Sequence, residues 1–96
     1  MMPRKLTAEE SREIKKKSVM LDYHSAMRWF YRLNFKKVED VIEQGEIWQE
    51  GKHKFRAVLP VKRGKLVFVI FHEFPDYLQI ITVGITSRSK IKWGGL

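Results

Sequence analysis

The spacing of apolar residues changes once along the chain, from a helical period in the first half to alternation in the second. Thr7-Ala8-Glu9-Glu10 has the form of a capping box, in which the Thr hydroxyl and the Glu carboxylate each satisfy a free amide at a helix start. The helix expected after it, through Lys17, has Ile14 as its one large apolar residue, and Lys15-Lys16-Lys17 suits the negative end of its dipole. So little apolar surface predicts a peripheral helix, preceded by a loose arm over residues 1–6. Val19-Met20-Leu21 reads either as a short strand or as the lead into a second helix, capped by Asp22 and running from Tyr23 to about Leu33. On that helix Ala26, Trp29, Phe30 and Leu33 make an apolar side, and His24, Arg28 and Arg32 form a separate basic stripe at about 0°, 40° and 80°. A third helix, capped by Asn34, sets Phe35, Val38, Val41 and Ile42 on one side and ends at Gly45, read as a left-handed C-terminal residue.

From Glu46 onward the period is two. Glu46 to Glu50 predicts a short strand ended by Gly51, and His53 to Val61 a second in which Phe55, Ala57, Leu59 and Val61 share a face. Lys62-Arg63-Gly64-Lys65 reads as a basic hairpin tip, Lys65 to Phe74 as a central strand, Pro75-Asp76 as a turn and Tyr77 to Thr86 as the last strand. Residues 87–96 form a basic tail with Arg88, Lys90, Lys92 and Trp93. The expected fold is α+β in a single domain: helices packed on one face of an antiparallel meander of about four strands.

Two-residue loops at Arg63-Gly64 and Pro75-Asp76 would place Phe55, Ala57, Leu59, Leu66, Phe68, Ile70, Ile81, Val83 and Ile85 on the helix-covered face. His72 would share that face as a buried group opposite Phe55 and Gln79. The other face would gather Lys54, Arg56, Val58, Val67, Val69, Phe71, Glu73, Leu78 and Ile80. Left open, it would expose more apolar area than an idle surface does.

Composition narrows the class of partner. The 96 residues hold 19 Lys and Arg against 11 Asp and Glu, a net charge of +8 that favours polyanions. The absence of cysteine excludes disulfides, thiolate nucleophiles and cysteine zinc sites. The longest apolar run, Leu66 to Phe71, falls far short of the roughly 18 residues of a spanning helix, so the expectation is a cytoplasmic protein with no membrane partner. With 44% hydrophobic residues the chain has enough apolar side chains to fold.

Two helices followed by a meander on a small basic chain resemble the RelE/ParE-like toxin superfamily, near the BrnT branch. The residues that carry the likeness are His24-Ser25-Ala26, Arg28 and Arg32 on one helix, Val38 to Glu43 and Gly45-Glu46-Ile47 on the next, and the strands Leu66 to Phe71 and Ile80 to Ile85. The likeness covers roughly residues 20 to 86. It implies a domain that interacts with RNA or the ribosome, as a metal-independent endoribonuclease without cofactor, and an acidic antitoxin-like protein as a further partner, with the chain a monomer or homodimer. The same superfamily includes gyrase poisons and members without activity, so a noncatalytic binding module on this scaffold stands as the alternative.

The candidate catalytic residues are His24, Arg28, Arg32, His72 and Tyr77, with imidazole or phenol moving a proton and Arg stabilising a charged transition state. Four of them also have an ordinary reading: the arginines pairing with Glu39, Asp40 or Glu43, His24 capping its own helix, and His72 as a hydrogen-bonded core residue. The candidate nucleic-acid contacts are Lys54, Arg56, Lys36, Lys37 and Arg63. Lys54 and Arg56 would lie beside Phe71 as charge next to a stacking surface, with Lys54 paired to Glu73 as the plain alternative. Lys36 and Lys37 would add ammonium groups to the free amides of a helix start. His24, His53 and His72 lack metal-ligand spacing.

Overall fold

The computed structural model describes residues 3–21, 35–61 and 64–87. Among them are two helices and a six-stranded, mostly antiparallel sheet: β1 (Arg4–Lys5), α1 (Ala8–Lys15), β2 (Ser18–Leu21), α2 (Phe35–Gln44), β3 (Glu46–Gln49), β4 (Lys54–Pro60), β5 (Lys65–Glu73) and β6 (Tyr77–Ser87). The fold is α+β, as the change of period implies. The strands lie in the order β1-β3-β4-β5-β6-β2, and β2 runs parallel to β6. The helix expected over Tyr23 to Leu33 lies outside the described residues.

The sheet has six strands where the alternating pattern predicts four. Both additions come from segments without a period. Arg4 and Lys5, read as part of a loose arm, pair with Gln49 and Trp48, and Leu6 next to them is buried. Val19-Met20-Leu21 resolves as strand, paired with Leu78 to Ile80.

α1 starts as its capping box dictates. The Glu10 amide donates to the Thr7 hydroxyl at 3.2 Å, and the Thr7 amide donates to the Glu10 carboxylate at 3.0 Å. Arg4 holds the same carboxylate through two hydrogen bonds of 3.0 and 2.9 Å. That fork and the Thr7 amide lower the Glu10 pKa to about 2. α2 buries Val38, Val41 and Ile42 in one cluster with Ile47, Ala57, Val69 and Phe71 of the sheet. Its end at Gly45 has a different cause from the one expected. Gly45 does not take a positive φ; the backbone is crowded there, and a Cβ would collide with the carbonyl oxygens of Val41 and Val58, the latter at 2.5 Å.

The β4–β5 connection changes the faces. Val61 N–H donates to the Lys65 carbonyl at 3.0 Å and Pro60 pairs with Leu66, so three residues rather than two make the turn. Gly64 supplies the positive φ, +76°, that such a loop uses. A slip of one residue exchanges the two sides of a strand. Val67, Val69 and Phe71 therefore point to the helices with Phe55 and Ala57, and Leu66, Phe68, Ile70 and His72 point away, the reverse of the expected assignment. The β5–β6 turn keeps the expected two residues, with Phe74 N–H donating to the Tyr77 carbonyl at 2.9 Å. A bulge at Ile81 then moves the pairing from Phe71–Ile80 to Ile70–Thr82, so Leu78 and Ile80, expected on the other face, lie with Val83 on the core side, whereas Ile85, expected there, is exposed.

Gly45→Ala is expected to lower stability by about 2 kcal/mol or more, because neither backbone carbonyl can retreat; the urea midpoint measures it, and an unchanged midpoint contradicts the close approach. The Glu10 carboxyl is expected to titrate near pH 2 in the folded protein. Because the folded value lies below the ordinary one, the helix-start stabilisation is full above about pH 4.5 and is lost as pH falls toward 2. In Arg4→Ala its pKa should rise yet stay below the ordinary value, because the Thr7 amide remains. Carboxyl NMR shifts against pH follow both.

Candidate nucleic-acid interface

The face turned away from α2 is divided along its length. Toward the β4–β5 turn, Val58 and Leu66 are buried, and so is Trp48 nearer the middle, so this face is not an open apolar sheet. At the opposite end two transverse rows of side chains lie on it. Register sets Lys54, His72, Gln79 and Met20 side by side across β4, β5, β6 and β2. One step further out come Phe74, Tyr77 and Ser18. Two residues along a strand separate the rows, about 7 Å.

The outer row is built by the turn. Aromatic residues flanking a two-residue turn face each other across the hairpin. Phe74 and Tyr77 stack with centroids 4.8 Å apart and planes 13° from parallel, and Phe74 remains 39% exposed. Pro75 and Asp76 set the turn between them. Behind it, Lys17 Nζ donates to the Glu73 carboxylate at 2.8 Å and to the Phe74 carbonyl at 2.9 Å. This ion pair is half-buried. It anchors the turn to the end of α1 and neutralises the Glu73 carboxylate.

His72 and Lys54 correct two expectations. His72 is exposed and stands opposite Lys54, not buried opposite Phe55. Lys54 does not pair with Glu73, whose carboxylate belongs to Lys17, and both Lys54 and His72 stay exposed. The proposed neighbour of Lys54 and Arg56, Phe71, is fully buried on the other face, stacked on Phe55 at 5.8 Å.

Arg56 shares the face with Lys54 but is already engaged. It forms an ion pair with Glu50 at 2.9 Å and lies 5.5 Å above the Phe68 ring, which in turn covers Gly84 so closely that a Cβ there would meet the ring at 2.6 Å. Burial lowers the Arg56 pKa, and the Glu50 charge opposes that shift. The stack of guanidinium, ring and glycine is a structural unit.

The remaining sequence candidates do not join this site. Lys36 and Lys37 sit in the first turn of α2, whose packing lies against the opposite face. His24, Arg28, Arg32 and Arg63 fall outside the described residues, as do Arg88, Lys90, Lys92 and Trp93. The structure thus brings together Lys54, His72 and Tyr77, and adds Phe74, His53 and the Lys17 anchor. Phe74 had a signal in the sequence, as an aromatic immediately before a Pro-Asp turn with Tyr after it. A pocket of about 470 Å³ opens beside the rows, lined by His53, Lys54, His72, Glu73, Phe74 and Pro75. Among the described residues no group of three His, Asp or Glu could hold a metal ion.

Comparison of the chain with protein-family models, curated proteins and solved structures found no match.

Arg56→Ala is expected to destabilise the fold by about 1–2 kcal/mol, because it leaves the Glu50 carboxylate half-buried without its counter-charge and removes cover from Phe68. Lys54→Ala should stay within about 0.5 kcal/mol of the parent. Paired denaturation curves distinguish a structural from a free cation; equal losses would contradict the division.

Proposed function

We propose that this chain is a small basic RNA-interacting domain that contacts single-stranded RNA through Lys54, His72, Phe74 and Tyr77. The observation that carries the reading is the juxtaposition of an unengaged ammonium and an imidazole with a stacked, partly exposed aromatic pair, on a chain of net charge +8. Exposed bases stack on such rings whatever their identity, and cations hold the adjoining phosphates. Duplex nucleic acid hides its base faces and would use only the charge.

A second reading, metal-independent cleavage of the kind the toxin resemblance implies, draws on the Lys54–His72 pair. An imidazole beside an ammonium is suited to take the proton of a ribose 2′-hydroxyl while the ammonium stabilises the phosphate. Attack of that oxygen on the adjacent phosphorus would expel the 5′-oxygen and leave a cyclic 2′,3′-phosphate. Product ends of that type in the presence of EDTA, absent with His72→Ala, support it; bound but intact RNA leaves the noncatalytic module.

A fluorescent single-stranded RNA titrated at several salt concentrations should bind more weakly as salt rises. Lys54→Ala should lower affinity severalfold and reduce the salt slope by about 0.7, and Tyr77→Ala should lower affinity with the slope unchanged. Affinity indifferent to both substitutions overturns the assignment of this surface.

A further inference from the structure

Resting on the RNA-interacting reading, we propose that the pocket lined by His53, Lys54, His72, Phe74 and Pro75 receives one unstacked base of the bound strand. At about 470 Å³ it has the size of a small-ligand site, and its walls are two imidazoles, a phenyl ring, a pyrrolidine and the aliphatic stem of a lysine. Flat rings and methylene surface suit a planar heterocycle. The lining also explains the charge of the occupant. Glu73, the one carboxylate in it, is neutralised by Lys17 at 2.8 Å, and the Lys54 ammonium remains for a phosphate attached to the base. A hydrophobic peptide side chain would fill the same walls but leave Lys54 without an opposite charge. Free nucleotide and RNA strand present the same base and phosphate. The adjoining Phe74–Tyr77 stack favours the strand, because it offers a second ring surface to the neighbouring base.

The test is an abasic scan. A set of short single-stranded RNAs, each lacking the base at one position, is titrated against the full chain beside the intact RNA and adenosine 5′-monophosphate. At one position removal of the base should weaken binding about tenfold, and loss elsewhere should be smaller. Phe74→Ala, at an exposed turn residue, should abolish that difference while keeping the salt dependence. A flat scan with binding still dependent on salt and on Lys54 overturns the pocket while leaving the RNA reading in place. Mononucleotide bound as tightly as the intact strand overturns the strand as the occupant. No affinity for any RNA at low salt overturns both readings.

Discussion

Everything on the exposed end of the sheet depends on the three-residue connection between β4 and β5. With Gly64 at a φ of +76°, Pro60 meets Leu66 and the whole of β5 faces as it does. A connection shorter by one residue would turn Phe71 outward and His72 inward, burying an imidazole next to Phe55 and exposing a phenyl ring. The observed register instead stacks Phe71 on Phe55 inside and aligns His72 with Lys54 outside. The core and the candidate interface are thus two consequences of one turn. The bulge at Ile81 extends that choice to β6, because it keeps Leu78 and Val83 on the same side although they are an odd number of residues apart.

Ion pairing then decides which cations remain available at that end. Arg56 is held by Glu50, Lys17 by Glu73, Arg4 by Glu10 and Lys5 by Glu46. These pairs differ in exposure. Arg4–Glu10 and Lys5–Glu46 are solvated and contribute little beyond orientation, whereas Arg56–Glu50 and Lys17–Glu73 are half-buried and lock a strand and a turn. Their net effect is to remove carboxylates as competitors for an anion. Among the described residues Lys54 is left without a carboxylate partner, on a surface where Glu50 and Glu73 are already paired.

Local patterns made much of this legible in the sequence. The capping box at Thr7 and Glu10, the helix face of Val38, Val41 and Ile42, and the Pro75-Asp76 turn each depend on residues close in sequence, and each is found where it was expected. The face of β5 was not legible, for a physical reason. Its run Leu66-Val67-Phe68-Val69-Ile70-Phe71 is apolar at odd and even positions alike, so alternation gives no preference, and Lys62-Arg63-Gly64-Lys65 accepts a turn of either length. Only packing against α2 selects between them. β1 was invisible because two charged residues carry no period, and Gly45 because crowding and handedness call for the same residue.

The Phe74–Tyr77 pair satisfies a structural demand and a functional one with the same geometry. A cross-strand aromatic pair stabilises a hairpin by about 0.2–1 kcal/mol, which is reason enough for it to exist. Stability alone would be served as well with Phe74 covered, yet Phe74 is 39% exposed and lines a pocket on its outer side. The turn that bears it is fixed by Pro75, by the hydrogen bond between Phe74 and Tyr77 and by Lys17 on the Phe74 carbonyl. A ring held this way loses little further freedom when another ring stacks on it. The ordering cost that weakens most encounters with single strands is therefore met largely by the fold, and the stacking energy is left for the ligand.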